Sequence, residues 1–313
     1  MKRLVLHSFS LDALRIVDGP RPSLSEDAAL VRVKAAGLNP SDLMNIKGAF
    51  HYTSLPRVPG RDYAGVVEEG PDEWIGKSVW GSGAELGFSQ EGTYSEFVAV
   101  PSSSLVEKPG NLSFAVAAAS GVPFATAYQA IVQAAKVQAG ETAFITGALG
   151  AVGSAACQIA LQKGARVIGL VKQRANLEGI EFIQSDEEVV ARIRGLTANR
   201  GVDVCLDTVS GPIFPAVIAS LATNGRLAVI IAKGDGKVTL DLRDLYRRRL
   251  QLLGVNSLLV DSRQTAEIYR ELNPLIEAGK LRSNEPKQIS FAEVHSAFQR
   301  METGAAPKMV LIP

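Results

Sequence analysis

The sequence predicts an α/β protein in which a doubly wound parallel sheet is joined to a second, β-rich domain. Three observations predict it. From residue 142 onward, apolar runs of strand length alternate with helical stretches, the pattern of parallel strands buried on both faces. The first hundred residues instead carry short apolar or alternating runs cut by Gly and Pro turns, as a barrel-like β domain does. Between one strand and the helix after it lies Gly147-Ala148-Leu149-Gly150-Ala151-Val152-Gly153, with a glycine at every third position.

In chain order, residues 3–6, 29–33, 63–68 and 78–80 read as strands, separated by Asp18-Gly19-Pro20, Asn39-Pro40, Pro59-Gly60 and Gly70-Pro71. Residues 111–135 carry no charge, a length that suffices for a membrane span. Ser113, Ser120, Gln129 and Gln133 fall inside that stretch and Gly121-Val122-Pro123 interrupts it, so the expectation is a buried helix, a break and a second helix, with no membrane. Strands follow at 143–146, 166–171, 181–183, 202–207, 226–231 and 251–255, with helices at 152–163, 187–195 and 213–221. The tail returns to helix at 266–277 and 291–300, and a last strand at 309–312 is expected to rejoin the first domain. The domains are therefore expected at 1–118 with 266–313, and at 119–265.

Composition narrows the function. With 33 basic and 32 acidic residues in 313, no global field draws the chain to nucleic acid or an anionic membrane. Cys157 and Cys205 cannot build a disulfide framework, which fits a reducing, cytoplasmic setting. Lys2 and Arg3 precede an apolar stretch that His7 and Asp12 cut short, so no secretory leader is expected. The three histidines, His7, His51 and His295, are scattered and both cysteines fall in strand or helix cores, so no catalytic zinc is expected. The G-x-S-x-G elbow of a serine hydrolase is missing.

The glycine loop reads as a dinucleotide site. Gly147 and Gly150 let the chain turn and bring bare amides to a diphosphate; Gly153 lets the helix start pack on the strand, with the helix N-terminus facing the anion. The next strand ends Leu170-Val171-Lys172-Gln173-Arg174, where a site for NAD carries an acid for the ribose 2′-hydroxyl. Lys172 and Arg174 suit a 2′-phosphate instead, which favours NADPH.

Several segments together resemble the medium-chain dehydrogenase/reductase superfamily, and within it the zinc-independent quinone oxidoreductases related to zeta-crystallin. They are Ala36-Gly37-Leu38-Asn39-Pro40-Ser41-Asp42, the stretch from Leu55 to Val67 containing Pro59-Gly60-Arg61-Asp62-Tyr63, Gly92-Thr93-Tyr94-Ser95-Glu96-Phe97, the glycine loop, and Gly201 to Gly211. The resemblance implies a GroES-like catalytic domain beside a Rossmann domain and NADPH-dependent reduction of a quinone or an activated alkene. Zinc-bearing relatives place a cysteine where this chain has Asn39 and a His-Glu pair where it has Arg61-Asp62. By the same resemblance, Asn39 and Asp42 lie near the nicotinamide and substrate, Thr126 lies at the nicotinamide end, and Ala151 and Val152 cradle the diphosphate. Thr208, Val209, Ile231, Ala232, Val255 and Asn256 follow later strand ends. The family often has a tyrosine after its third strand to help hold the 2′-phosphate; here Gln184-Ser185-Asp186 stand there. Met44 stands where many members carry a tyrosine, and Tyr52 could substitute as a proton donor. A homodimer through edge strands of the nucleotide domain is also implied.

Blander roles remain open for the catalytic set: Asn39 as a turn residue before Pro40, Asp42 as a helix cap, Tyr52 as a surface tyrosine. Two functional alternatives also stand. One is an NADPH-dependent enone or enoyl-thioester reductase with the same hydride chemistry. The other is an NADPH-binding structural or sensor protein without turnover.

Overall fold

A computed structural model of the chain describes residues 1–173, 175–304 and 306–313. Strands β1 (Lys2–Leu6), β2 (Leu14–Asp18) and β3 (Ala28–Gly37) come first, then helix α1 (Pro40–Ile46) and strands β4 (Asp62–Glu69), β5 (Ser78–Gly81) and β6 (Phe97–Pro101). Helix α2 (Phe114–Tyr128) runs on into a short π-helical stretch, Gln129–Ala134. Then come β7 (Thr142–Ile145), α3 (Ala151–Gln162), β8 (Arg166–Val171), β9 (Ile180–Gln184), α4 (Val189–Leu196) and β10 (Val202–Asp207). They are followed by α5 (Phe214–Ser220), β11 (Leu221–Val229), α6 (Leu242–Arg247) and β12 (Gln251–Gly254). The chain ends with α7 (Ser262–Glu277), β13 (Lys287–Ser290), α8 (Val294–Glu302) and β14 (Met309–Ile312).

These elements form two units, Met1–Ala125 with Ser257–Pro313, and Thr126–Asn256. The expected boundaries at 118 and 265 differ from these: the chain passes between the units inside α2 and just before the segment that leads into α7.

In the first unit the sheet runs β13-β14-β3-β4-β5, with β6 also on β3 and with β1 and β2 paired separately. The last strand does return: Val310 and Leu311 of β14 pair antiparallel with Gly37 and Ala36. The sheet's apolar face, including Val31, Val67, Val98 and Leu311, packs with Phe298 of α8 in one core. Two strands of this unit, β2 and β6, carry no distinct signal in the sequence. Leu14–Asp18 has one buried residue, and Phe97–Pro101 directly follows a turn-rich segment.

The expected break at Gly121-Val122-Pro123 is absent: α2 is continuous through Pro123. A proline inside a helix strips a donor from the ladder and normally kinks it. Here the neighbouring amide finds another acceptor, because the N–H of Val122 donates to Asp62 Oδ1 at 2.9 Å. Gly121 permits that approach, since a Cβ there would lie 2.4 Å from Asp62 Oδ1. The span Phe114–Ala134 is long and apolar enough to cross a membrane, yet 89% of its most apolar window is buried inside the protein.

In the second unit the sheet order is β12-β11-β10-β7-β8-β9, and each neighbouring pair is parallel. Its strands read as apolar runs because both faces are covered; Phe144, Ile168, Cys205 and Leu227 share a core with Val217 of α5. Chain order reverses between β7 and β10, so the topological switch point lies beside the C-terminal end of β7, where such sheets take ligands.

Candidate functional site

In the second unit, the glycine loop lies between β7 and α3, at the switch point. Gly147 has φ +60°, and a Cβ there would meet Thr208 Oγ1 at 2.5 Å. At Gly153 a Cβ would stand 2.2 Å from the carbonyl oxygen of Gly147, so the helix start can approach the loop only without a side chain. Gly150 is the N-cap of α3 and provides no side-chain acceptor; Gly150 and Ala151 are exposed and Val152 half-exposed. Among the described residues no side chain caps the start of this three-turn helix, which carries the partial positive charge of the helix end.

A hydrogen-bonded clamp holds this loop, and sequence reasoning missed its centre. Thr146 Oγ1 donates to Asp207 Oδ1 at 2.8 Å, and Thr208 donates its N–H to Thr146 Oγ1 and its hydroxyl to the Thr146 carbonyl. Asp207 Oδ1 also accepts the N–H groups of Val209 and Ser210, both at 2.9 Å. The ends of β7 and β10 are thereby locked together. An acid and a threonine directly after apolar strands were the available signal.

The other residues expected to bind cofactor gather at the same edge. Lys172 follows β8 and is exposed; Ile231 and Ala232 follow β11; Val255 and Asn256 follow β12, with the Val255 amide bonded to Val229 O. Thr126 is buried, and its hydroxyl has no hydrogen-bond partner among the described residues. Arg174 lies outside the described residues. An uncapped helix start, bare glycine amides and an orphaned buried hydroxyl fit a dinucleotide's diphosphate and a polar end group.

In the first unit, two of the three expected catalytic residues belong to a buried polar network at the head of α1. Asn39 donates its backbone N–H to Asp42 Oδ2 and its amide N–H to Asp62 Oδ2, each at 2.9 Å. Tyr94 donates its hydroxyl to the same Asp42 oxygen at 2.8 Å, and Lys308 donates to Asn39 Oδ1 at 2.6 Å and to the Leu38 carbonyl. With a pure donor on one side and a carboxylate on the other, the orientation of the Asn39 amide is determined. Burial and the neighbouring Asp62 carboxylate push the Asp42 carboxyl up to about 6, against the hydrogen bond from Tyr94. Burial likewise pushes the Tyr94 phenol well above its ordinary range, and it lowers the Lys308 ammonium while Asp62 and Asp42 oppose that shift.

This arrangement sharpens the expectation for Asn39 and Asp42. Both side chains are almost fully buried and engaged within the network, so their visible work is to hold the start of α1. The partners Asp62, Tyr94 and Lys308 were not foreseen. Tyr52 is 43% exposed and stacks on Phe88, with 5.8 Å between centroids. Its loop is tied to α1 by the Thr53 hydroxyl, which donates to Asn45 Oδ1 at 2.6 Å. Partial burial raises the Tyr52 phenol, with Arg61 acting the other way. Met44 is exposed.

The family described as zinc-binding dehydrogenase matches residues 151–276, and the alcohol dehydrogenase GroES-like domain matches residues 25–110. A zinc-type alcohol dehydrogenase-like protein of Schizosaccharomyces pombe is 38% identical over 85% of this chain and 81% of its own. The chain belongs to the medium-chain dehydrogenase/reductase superfamily, in its quinone oxidoreductase-like branch. A 2-methylene-furan-3-one reductase of Solanum lycopersicum is 30% identical over 97% of this chain and 76% of its own. The crystal structure of a quinone oxidoreductase from Pseudomonas syringae pv. tomato DC3000 superposes with a TM-score of 0.86, at 26% identity over 100% of this chain and 99% of that one. The chain is thus an oxidoreductase with a GroES-like unit and a nucleotide-binding unit for NAD(P).

Zinc, which one family description names, does not fit the residues present. Asn39 offers an amide already bonded on both sides, and Arg61 is a buried cation whose guanidinium donates to the carbonyls of Gly83 and Ser257, each at 3.0 Å. Among the described residues no group of three or more His, Cys, Asp or Glu side chains could hold a metal.

Proposed function

We propose that this protein is a zinc-independent, NADPH-dependent reductase that transfers hydride to a quinone. One observation carries the proposal: an uncapped glycine-loop helix start stands at the switch point of the parallel sheet, and the strand beside it is followed by exposed Lys172 where an NAD site would place an acid. The reduced nicotinamide, when bound, supplies hydride from C4; quinone plus hydride plus one proton gives the hydroquinone. The protein's share is to fix the cofactor and to stabilise the anion that forms. The glycine-loop amides hold the diphosphate, Lys172 attracts the 2′-phosphate, and the Thr126 hydroxyl holds the nicotinamide end. Tyr52 is the proton donor in this reading, and the network of Asn39, Asp42 and Asp62 positions the head of α1.

Reduction of a conjugated enone is the second reading, favoured by the likeness to the tomato 2-methylene-furan-3-one reductase. Steady-state rates with NADPH against a benzoquinone and a conjugated enone decide between them, followed by absorbance of the reduced nicotinamide. The expected outcome is a higher kcat/KM for the quinone. NADPH binding without turnover on either acceptor would instead establish a structural or sensor protein. We further propose a cytoplasmic homodimer joined at β12, an outer strand of its sheet with exposed Leu252, near exposed Leu242 and Tyr246. Leu252→Lys should convert the dimer to a monomer in sedimentation velocity.

A further inference from the structure

The strand pair at the far edge of the nucleotide-binding sheet carries a feature that the glycine loop and Lys172 leave unused. A cavity of about 430 Å³ opens over the C-terminal ends of β8 and β9, lined by Val171, Ala175, Phe182, Ile183, Gln184 and Arg192. Among the described residues, five of these six present only apolar or uncharged groups, and the charge is the Arg192 guanidinium of α4. It stands beside the Gln184-Ser185-Asp186 turn, on the same edge as Lys172.

The guanidinium is engaged by three acceptors. Nη1 meets Asp186 Oδ2 at 2.8 Å and the Gln184 carbonyl at 3.3 Å, and Nη2 meets Glu188 Oε2 at 2.9 Å. Asp186 Oδ1 meanwhile accepts the Glu188 N–H at 2.9 Å, which folds the acidic turn around the arginine. Both carboxylates are solvated, with side-chain exposures of 41% and 71%. Ion pairs this exposed hold weakly and exchange readily. A phosphate dianion offers the same planar fork a doubly charged, multidentate acceptor.

We propose that Arg192 is the second receptor for the 2′-phosphate of NADPH, and that Asp186 and Glu188 are built-in competitors for it. In the absence of cofactor they occupy the guanidinium; the phosphate displaces them, and preference for NADPH over NADH is the balance of the two. This rests on the dinucleotide reading given above.

The test is direct binding of NADPH and of NADH, each followed by quenching of intrinsic fluorescence, with no turnover needed. Arg192→Met should weaken NADPH by about tenfold and leave NADH within about twofold. Asp186→Asn and Glu188→Gln should each tighten NADPH by a few-fold without helping NADH, and added salt should narrow the gap between wild type and the two acid variants. Thermal melts of the three surface variants check that α4 is retained, and Glu188→Gln leaves the Asp186 turn intact. An unchanged NADPH-to-NADH ratio in Arg192→Met, or weaker NADPH binding in both acid variants, overturns the proposal alone. Wild-type protein that binds neither dinucleotide overturns the cofactor reading and this proposal with it.

Discussion

In the first unit the polar groups at the head of α1 are spent on one another, whereas in the nucleotide-binding unit the head of α3 has no side-chain cap among the described residues. Asn39 caps a helix whose third residue, Asp42, accepts its backbone N–H, and Tyr94, Asp62 and Lys308 saturate most of what remains. Gly150 caps a longer helix with no side chain at all. The first arrangement uses specific side chains, each of which needs its partners. The second uses backbone, which any sequence supplies once side chains are kept out of the way. Binding of a dinucleotide should therefore depend on what is missing from the loop, and stability of the first unit on what is present in its network.

The sharpest way to break the nucleotide site is to add atoms. Gly153→Val places a branched side chain where even a Cβ falls 2.2 Å from a backbone oxygen, and neither the loop nor the helix start can yield without losing the diphosphate geometry. Affinity for NADPH should fall by about a hundredfold or more, read by fluorescence titration. The first unit should unfold as in the wild type. That is separable, because both tryptophans, Trp74 and Trp80, lie in the first unit and report its urea transition.

Subtraction breaks the other side of the comparison. Asp62→Leu removes the acceptor of the Asn39 amide and of the Val122 N–H, and leaves the buried Lys308 ammonium with less opposing charge. Stripping one partner from a buried charged network costs about 3–5 kcal/mol. The tryptophan-detected urea midpoint should fall accordingly, while dinucleotide affinity stays within twofold.

A finer reading of the same network comes from pH. The folded protein keeps the Asp42 proton up to about pH 6, against 3.8 for an ordinary aspartate. Between those values the unfolded chain has released a proton that the folded chain still holds, so the Asp42 contribution to stability falls as pH rises through this window and levels off above it. The size is about 3 kcal/mol for a shift of this extent. Asp42→Asn should lack this contribution over the same window. A wild-type melting temperature that does not drop relative to the variant between pH 4 and pH 6.5 would show that burial does not hold the proton.

The same contrast accounts for what was legible in the sequence. The glycine loop, strands β7, β8 and β10 and the return of β14 were readable because backbone requirements leave residue-type and spacing signatures over a few positions. The network around Asn39 was not: Lys308 is 269 residues from Asn39, and Tyr94 is 52 from Asp42. No local pattern tells a buried lysine that orients an amide from a solvated one. The continuity of α2 through Pro123 was hidden for the same reason, since the acceptor that rescues it, Asp62, is 60 residues upstream of Val122. In the sequence Arg192 is one of several charges on the helix at 187–195, and only its position over the ends of β8 and β9 distinguishes it.

The smallest effect is also the one that moves the two quantities in opposite directions. Gly150 has φ −71° and ψ 166°, the extended geometry that serines adopt at helix N-caps, and the nearest atom to an added Cβ is the Gly147 carbonyl oxygen at 3.1 Å. Serine therefore fits there with a shift of a few tenths of an ångström, and its hydroxyl can accept from the amide of Val152 or Gly153. That gives the open helix start a side-chain cap, as Asp261 gives the start of α7 by accepting from the Gln264 amide. Exchanging glycine for serine at an N-cap is worth a few tenths of a kcal/mol in stability. The same hydroxyl competes with the diphosphate for those amides, so Gly150→Ser should raise the melting temperature of the nucleotide-binding unit by about a degree while weakening NADPH by about two- to fivefold. If serine left affinity unchanged, the amides at the head of α3 would not be the diphosphate donors, and the contrast between a self-satisfied helix start and an open one would lose its functional meaning.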